Sequence, residues 1–134
     1  MGDFAFGHIE DQLRVLKRLN GSINFVLGSH DKELPEIVEA FNKEQGVAFH
    51  RILGHMTTVC IEKVEITLCH YSMRTWPKSH YGTWHLFGHS HNKLEGWGKS
   101  FDIGVDAWHF EPLSFDEVTR VMASRPDNFN LVNS

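Results

Sequence analysis

Two histidines separated by a single residue, His89 and His91, follow Gly88 at the end of the apolar run Trp84-His85-Leu86-Phe87. Such a pair presents two imidazoles from one short piece of backbone, and imidazole is the commonest protein metal ligand. Glycine makes the turn after a strand at little steric cost, and a rigid strand end limits the ordering entropy of the side chains it carries. Three more places have a related form. Gly2-Asp3 opens the chain ahead of Phe4-Ala5-Phe6-Gly7, Asn24-Phe25-Val26-Leu27 runs into Gly28-Ser29-His30-Asp31, and Val64–Cys69 runs into His70. In open α/β sheets ligands bind just outside the carboxyl ends of the strands, so these residues are expected to converge on one site. Aspartate with several histidines suits a divalent ion of intermediate hardness, Mn, Fe or Zn.

In this order the motifs resemble those of the calcineurin-like metallophosphoesterases. Gly2-Asp3 matches that family's second motif, Gly28-Ser29-His30-Asp31 its third, His70 its fourth and Gly88-His89-Ser90-His91 its fifth, and the resemblance runs from residue 2 to about Val118. It implies a four-layer α/β/β/α sandwich and hydrolysis of a phosphomonoester or phosphodiester by a metal-activated water. It implies one or two divalent ions per chain, with Asp3 bridging, His70 and His89 on the ion nearest position 29, and His91 on the other. It also implies that His30 acts on the transition state or leaving group, oriented by Asp31. Arg74 and His80, in the loop between His70 and the last motif, become candidate substrate-binding residues, Arg74 as a phosphate-facing guanidinium. A helix cap for Asp31 and a solvated loop for Arg74 and His80 are the plainer readings.

Two departures from the pattern matter. The family's first motif, D-x-H on a first strand, has no counterpart here, and Ser29 stands where the family has asparagine. The expectation is a sheet missing its first strand, with an exposed edge open to homo-oligomer formation, and weakened phosphoesterase activity. The alternatives are an inactive relative that keeps the fold with one metal or none as a binding module, and a purely structural zinc closed by His70, His89, His91 and a carboxylate.

Bulk properties fit one domain over residues 1–134. The net charge of −4 and the lack of a basic run do not favour duplex nucleic acid, and no apolar run approaches a membrane span or a signal peptide. Cys60 and Cys69 form no CxxC and lie in apolar strand patterns, which predicts reduced core cysteines and a cytoplasmic setting.

The elements that must position the site alternate as an α/β fold requires. Apolar periodicity predicts helices over Glu10–Leu19 and Pro35–Asn42, and Ser114 with Glu117 forms a capping box for a last helix to about Ala123. Strands are predicted at Ile23–Leu27, Thr57–Ile61, Val64–Cys69, Trp84–Phe87 and Phe101–Val105, the second and third as a hairpin around Glu62-Lys63. The tail from Arg125 is polar and predicted to be loosely held. His8, His50, His55 and His109 match no motif, His85 is explained by its strand, Trp97 and Trp108 read as packing residues, and Asp106 reads as structural.

Overall fold

The computed structural model describes residues 1–133 as a mixed α/β chain with three α-helices and two sheets. Helix α1 (Ile9–Arg18) carries Glu10 and Asp11 in its first turn and Lys17 and Arg18 in its last, which complements the helix dipole. Strand β1 (Asn24–Phe25) leads to α2 (Leu34–Gln45), which has Pro35 in its first turn and ends at Gly46 in the left-handed conformation. Leu34, Ile37, Val38 and Phe41 recur at helical spacing, and they pack with Leu16 and Phe25 into one core.

The Ile23–Leu27 strand is shorter than expected. Only Asn24 and Phe25 pair, in parallel, with β2 (Arg51–Ile52), a strand too short to show any alternation in sequence. Single backbone bonds extend the ladder on both sides, from Arg51 N–H to Ile23, Leu53 N–H to Phe25 and Leu27 N–H to Gly54.

The larger sheet runs in the order β3 (Met56–Ile61), β4 (Val64–Cys69), β5 (Trp84–Phe87) and β6 (Ser100–Asp102). β3 and β4 form the expected antiparallel hairpin, whose turn residues Glu62 and Lys63 both have positive φ, as a tight hairpin turn requires. β4, β5 and β6 are parallel. The last strand stops at Asp102, because its side chain accepts the Gly104 N–H at 2.8 Å and turns the chain into a 3-10 turn at Val105–Ala107. Ile66, Leu86 and Phe101 on one face pack against Val118 and Met122 of α3 (Phe115–Ser124), and α3 starts at the Ser114/Glu117 capping box.

The opposite face carries a polar row. Thr67, His85 and Ser100 sit side by side across β4, β5 and β6, all fully buried. His85 Nδ1 lies 3.0 Å from the Thr67 carbonyl, which only accepts, so Nδ1 carries the proton. Nε2 is then free to accept the Met73 N–H at 3.2 Å. One neutral ring thus ties the chain after His70 to the sheet.

Two expectations fail. Cys60 is exposed and Cys69 half-buried, both as free thiols, because β3 lies at the sheet edge with Met56, Thr58 and Cys60 turned outward. The start of the tail, Arg125 to Asn128, is tied to the fold by hydrogen bonds. Asn128 is buried, donates to the Ser79 and Thr83 carbonyls and accepts the Lys99 N–H, while Arg125 binds the Gly96 and Gly98 carbonyls. A polar side chain that satisfies backbone groups inside the fold looks like a solvated one in sequence. Among the described residues no helix is long and apolar enough to cross a membrane.

Burial pushes the His85 imidazole below its ordinary pKa, and its contacts to the Thr67 and Tyr71 backbone oppose this only in part. Burial lowers His50 in the same way. The unfolded chain therefore binds more protons than the folded one between these lowered values and about 6.5. Stability is expected to be full above about pH 7 and to fall as pH drops through 6.5, by up to about 1.4 kcal/mol per pH unit for each such histidine. Urea unfolding at pH 7.5 and 5.5 measures the slope, and His85→Gln should flatten it; equal slopes, with His85 charged at pH 5.5 by NMR, would refute this role.

Candidate metal centre

The site is assembled where the N-terminal segment crosses between strand ends of the two sheets. Asp31, buried on the turn before α2, accepts three backbone N–H groups: Asp3 and Gly28 on Oδ2, each at 2.7 Å, and Phe4 on Oδ1 at 2.8 Å. Phe4 then packs edge-on against Phe25 of β1, with ring centroids 5.1 Å apart. The crossing is tight. A Cβ on Gly28 would fall 2.4 Å from the Asp3 nitrogen, and one on Gly2 would fall 2.2 Å from His70 Nδ1, so glycine is required at both positions.

This contact presents the Asp3 carboxylate. Its Oδ1 accepts the His30 backbone N–H at 2.8 Å, the Ser29 hydroxyl lies 3.2 Å from Oδ2, and Oδ2 also faces His70 Nε2 at 3.2 Å. Burial works against the charged form of Asp3, but the His30 N–H, the His70 imidazole and the Ser29 hydroxyl outweigh it and hold the carboxyl below its ordinary pKa. His70 leaves the end of β4 beside Gly88, whose N–H donates to the His70 carbonyl at 3.0 Å, and this continuation of the ladder brings His89 next to His70. His70 Nδ1 lies 2.8 Å from the Met1 carbonyl and therefore carries the proton. Nε2 faces Asp3 Oδ2 at 3.2 Å and His89 Nδ1 at 3.1 Å.

Asp3, His70 and His89 each offer one ligand atom, all within 4.8 Å of one another. Three such atoms in contact need a proton or a cation between them. Two of the three separations, His70 to His89 at 3.1 Å and His70 to Asp3 at 3.2 Å, match the donor spacing of about 3.0–3.4 Å around an ion with ligand bonds of 2.0–2.1 Å, and the third pair lies within 4.8 Å. The donor set therefore fits a divalent cation. Backbone conformation points the same way. Asp3, His89 and His91 all have φ between +49° and +64°, a region that costs a non-glycine residue of order 1 kcal/mol and recurs at functional sites.

A cleft of about 350 Å³ opens over the triad, within the range of small-ligand sites of ~300–1,000 Å³. Gly88, His91, Gly104 and Asp106 also line it. His91 stands outside the triad and pairs through Nδ1 with Asp106. Three other expected site residues are placed differently. Asp31 turns its oxygens to three backbone N–H groups, and no hydrogen bond joins it to the His30 ring. The His30 ring is exposed and leans on Phe6 with centroids 5.3 Å apart. Arg74 and His80 do not line the cleft. The Arg74 guanidinium lies over Trp97 at 4.6 Å and Phe129 at 5.4 Å, and the His80 ring packs on Tyr81 at 4.1 Å. Stacking on exposed aromatic rings satisfies that guanidinium without a phosphate. Asp102 was missed. It is buried and accepts the Ser90 hydroxyl and, at 3.2 Å, the Asn92 N–H, so it shapes the loop that carries both histidines. An acidic residue within a buried strand was the available signal.

No protein-family model matches this chain, and no curated protein does. Among solved structures it is similar to the crystal structure of a protein of unknown function from Aquifex aeolicus. The two are 21% identical with a TM-score of 0.60, over 90% of this chain and 73% of that one. At this identity the likeness concerns the fold.

Gly28→Ala should displace Asp3 from the two imidazoles, because the added methyl meets backbone rather than a movable side chain. Zinc affinity measured by competition with a chelating dye is expected to fall at least about tenfold, the scale seen when ligand-orienting contacts are lost. Unchanged affinity in a folded Gly28→Ala protein would show that the crossing does not position Asp3.

Proposed function

We propose that this chain is a metal-dependent phosphoesterase, hydrolysing a phosphomonoester or phosphodiester, with its two sheets as the middle layers of a four-layer α/β/β/α sandwich of the metallophosphoesterase type. The observation that carries the reading is the Asp3, His70 and His89 triad at adjacent strand ends, with His70 locked in the tautomer that bares Nε2. The order of the motifs along the chain supports it independently.

A bound divalent cation supplies Lewis acidity toward a phosphoryl oxygen and lowers the pKa of a coordinated water. The protein does the rest. Asp3 stays ionised under the His30 N–H and the Ser29 hydroxyl and offers oxygens to the cation. The Met1 carbonyl keeps the Nδ1 proton of His70 turned away from the site, so Nε2 is the ring nitrogen offered to a cation. Gly88 and Gly104 leave room for a tetrahedral phosphoryl group in the cleft. His30, whose backbone N–H is bound to Asp3 and whose ring is exposed on Phe6, would have to turn its ring toward the cleft to serve the departing oxygen.

The alternative is a binding module with one ion and no turnover. Ser29 favours it, because its hydroxyl is committed to the Asp3 carboxylate rather than to an ion, and so does the position of His91 outside the triad. Assays of an aryl phosphodiester with excess Mn separate the two. Turnover that chelator abolishes, that His89→Ala lowers at least about tenfold and that His30→Ala lowers without loss of metal is the enzyme's signature. One ion bound per chain with no turnover in any variant would establish the module instead.

A further inference from the structure

The end of β6 and the turn after it bring two carboxylates to the loop that holds the paired histidines. Asp102 fixes the base of this loop through Ser90 and Asn92. Asp106, in the 3-10 turn, meets His91 Nδ1 and lines the cleft with His91 and the triad. Gly104 lies between them. A Cβ there would stand 2.9 Å from Asp106 Oδ1 and 3.0 Å from Asp102 Oδ1, so the glycine gives both carboxylates their place. The His91 side chain is 72% exposed, and Asp106 is the group that restrains it.

We propose that Asp106 is the positioning residue of His91, fixing its tautomer and ring orientation so that Nε2 is presented to the cleft as a metal donor. This rests on the phosphoesterase reading and adds to it a residue which that reading leaves unused. A carboxylate has no proton to give, so Nδ1 must carry one and Nε2 becomes the only lone pair of the neutral ring. Carboxylates that orient a metal-binding imidazole in this way typically contribute 10–100-fold in metal affinity. The pair also restrains a side chain that would otherwise sample several rotamers at a strained backbone position, His91 having a φ of +49°.

Nitrogen-15 NMR of the histidine rings, without metal and then along a Zn titration, tests the proposal on the folded full chain. In the metal-free protein at pH 7.5, His91 should be the Nδ1–H tautomer, and Asp106→Ala should shift it toward the Nε2–H tautomer that free imidazole prefers. On adding Zn, the His91 Nε2 resonance should move to its metal-bound position, and Asp106→Ala should need 10–100-fold more Zn to move it. His70 Nε2 and His89 Nδ1 should respond alike in both proteins, and Asp106→Asn, which keeps an acceptor oxygen, should recover part of the loss. The same His91 tautomer and the same Zn dependence with and without the Asp106 carboxylate would overturn the proposal. Failure of His70 and His89 to respond to Zn would overturn the phosphoesterase reading instead, and the tautomer comparison would still decide the role of Asp106.

Discussion

The site depends on one carboxylate that never touches it. Asp31 gathers the N–H groups of Asp3, Phe4 and Gly28, and hydrogen bonds to a buried charged group contribute about 1.5–3 kcal/mol each. Those bonds hold the N-terminal segment against the end of β1, and the backbone contact between Gly2 and Gly28 then leaves Asp3 nowhere to point but toward His70. Without Asp31 the segment would keep the packing of Phe4, the contact of the Met1 carbonyl with His70 and the contacts of the Asp3 side chain, but no anchor for its own backbone N–H groups.

The same logic recurs around the cleft. Three of the four ligand candidates are held by a partner outside the triad: Asp3 by the His30 N–H and Ser29, His70 by the Met1 carbonyl, His91 by Asp106. The lone pairs left over face inward. This arrangement needs a proton or a cation between the facing atoms, and the left-handed backbone at Asp3, His89 and His91 adds to the cost. Most of the fold can bear that cost because its packing is conventional, with two apolar clusters, one under α1 and α2 and the other under α3. The polar row of Thr67, His85 and Ser100 is the exception. There His85 exchanges burial of an imidazole for a fixed path of the chain leaving His70.

What could be read in advance followed from period and from strand ends. Helical spacing of Leu34, Ile37, Val38 and Phe41, the Ser114 capping box and the hairpin at Glu62-Lys63 are local signals, and all three appear in the structure. The convergence of Asp3, His70 and His89 was legible because His70 and His89 follow apolar runs and Asp3 borders one. Features that depend on distant partners were not. Arg51–Ile52 is a strand only because Asn24–Phe25 lies beside it, and Asn128 is buried only because Ser79, Thr83 and Lys99 need partners. The guanidinium of Arg74 could have served a phosphate equally well in sequence; Trp97 and Phe129, far along the chain, decide otherwise.

The most direct test of the metal centre is anomalous scattering from crystals of the protein grown or soaked with Mn. A single strong peak is expected within about 2.0–2.3 Å of Asp3 Oδ2, His70 Nε2 and His89 Nδ1, with His70 Nδ1 still donating to the Met1 carbonyl. Ordered side chains at all three positions, with no anomalous density between them at millimolar Mn, would contradict it.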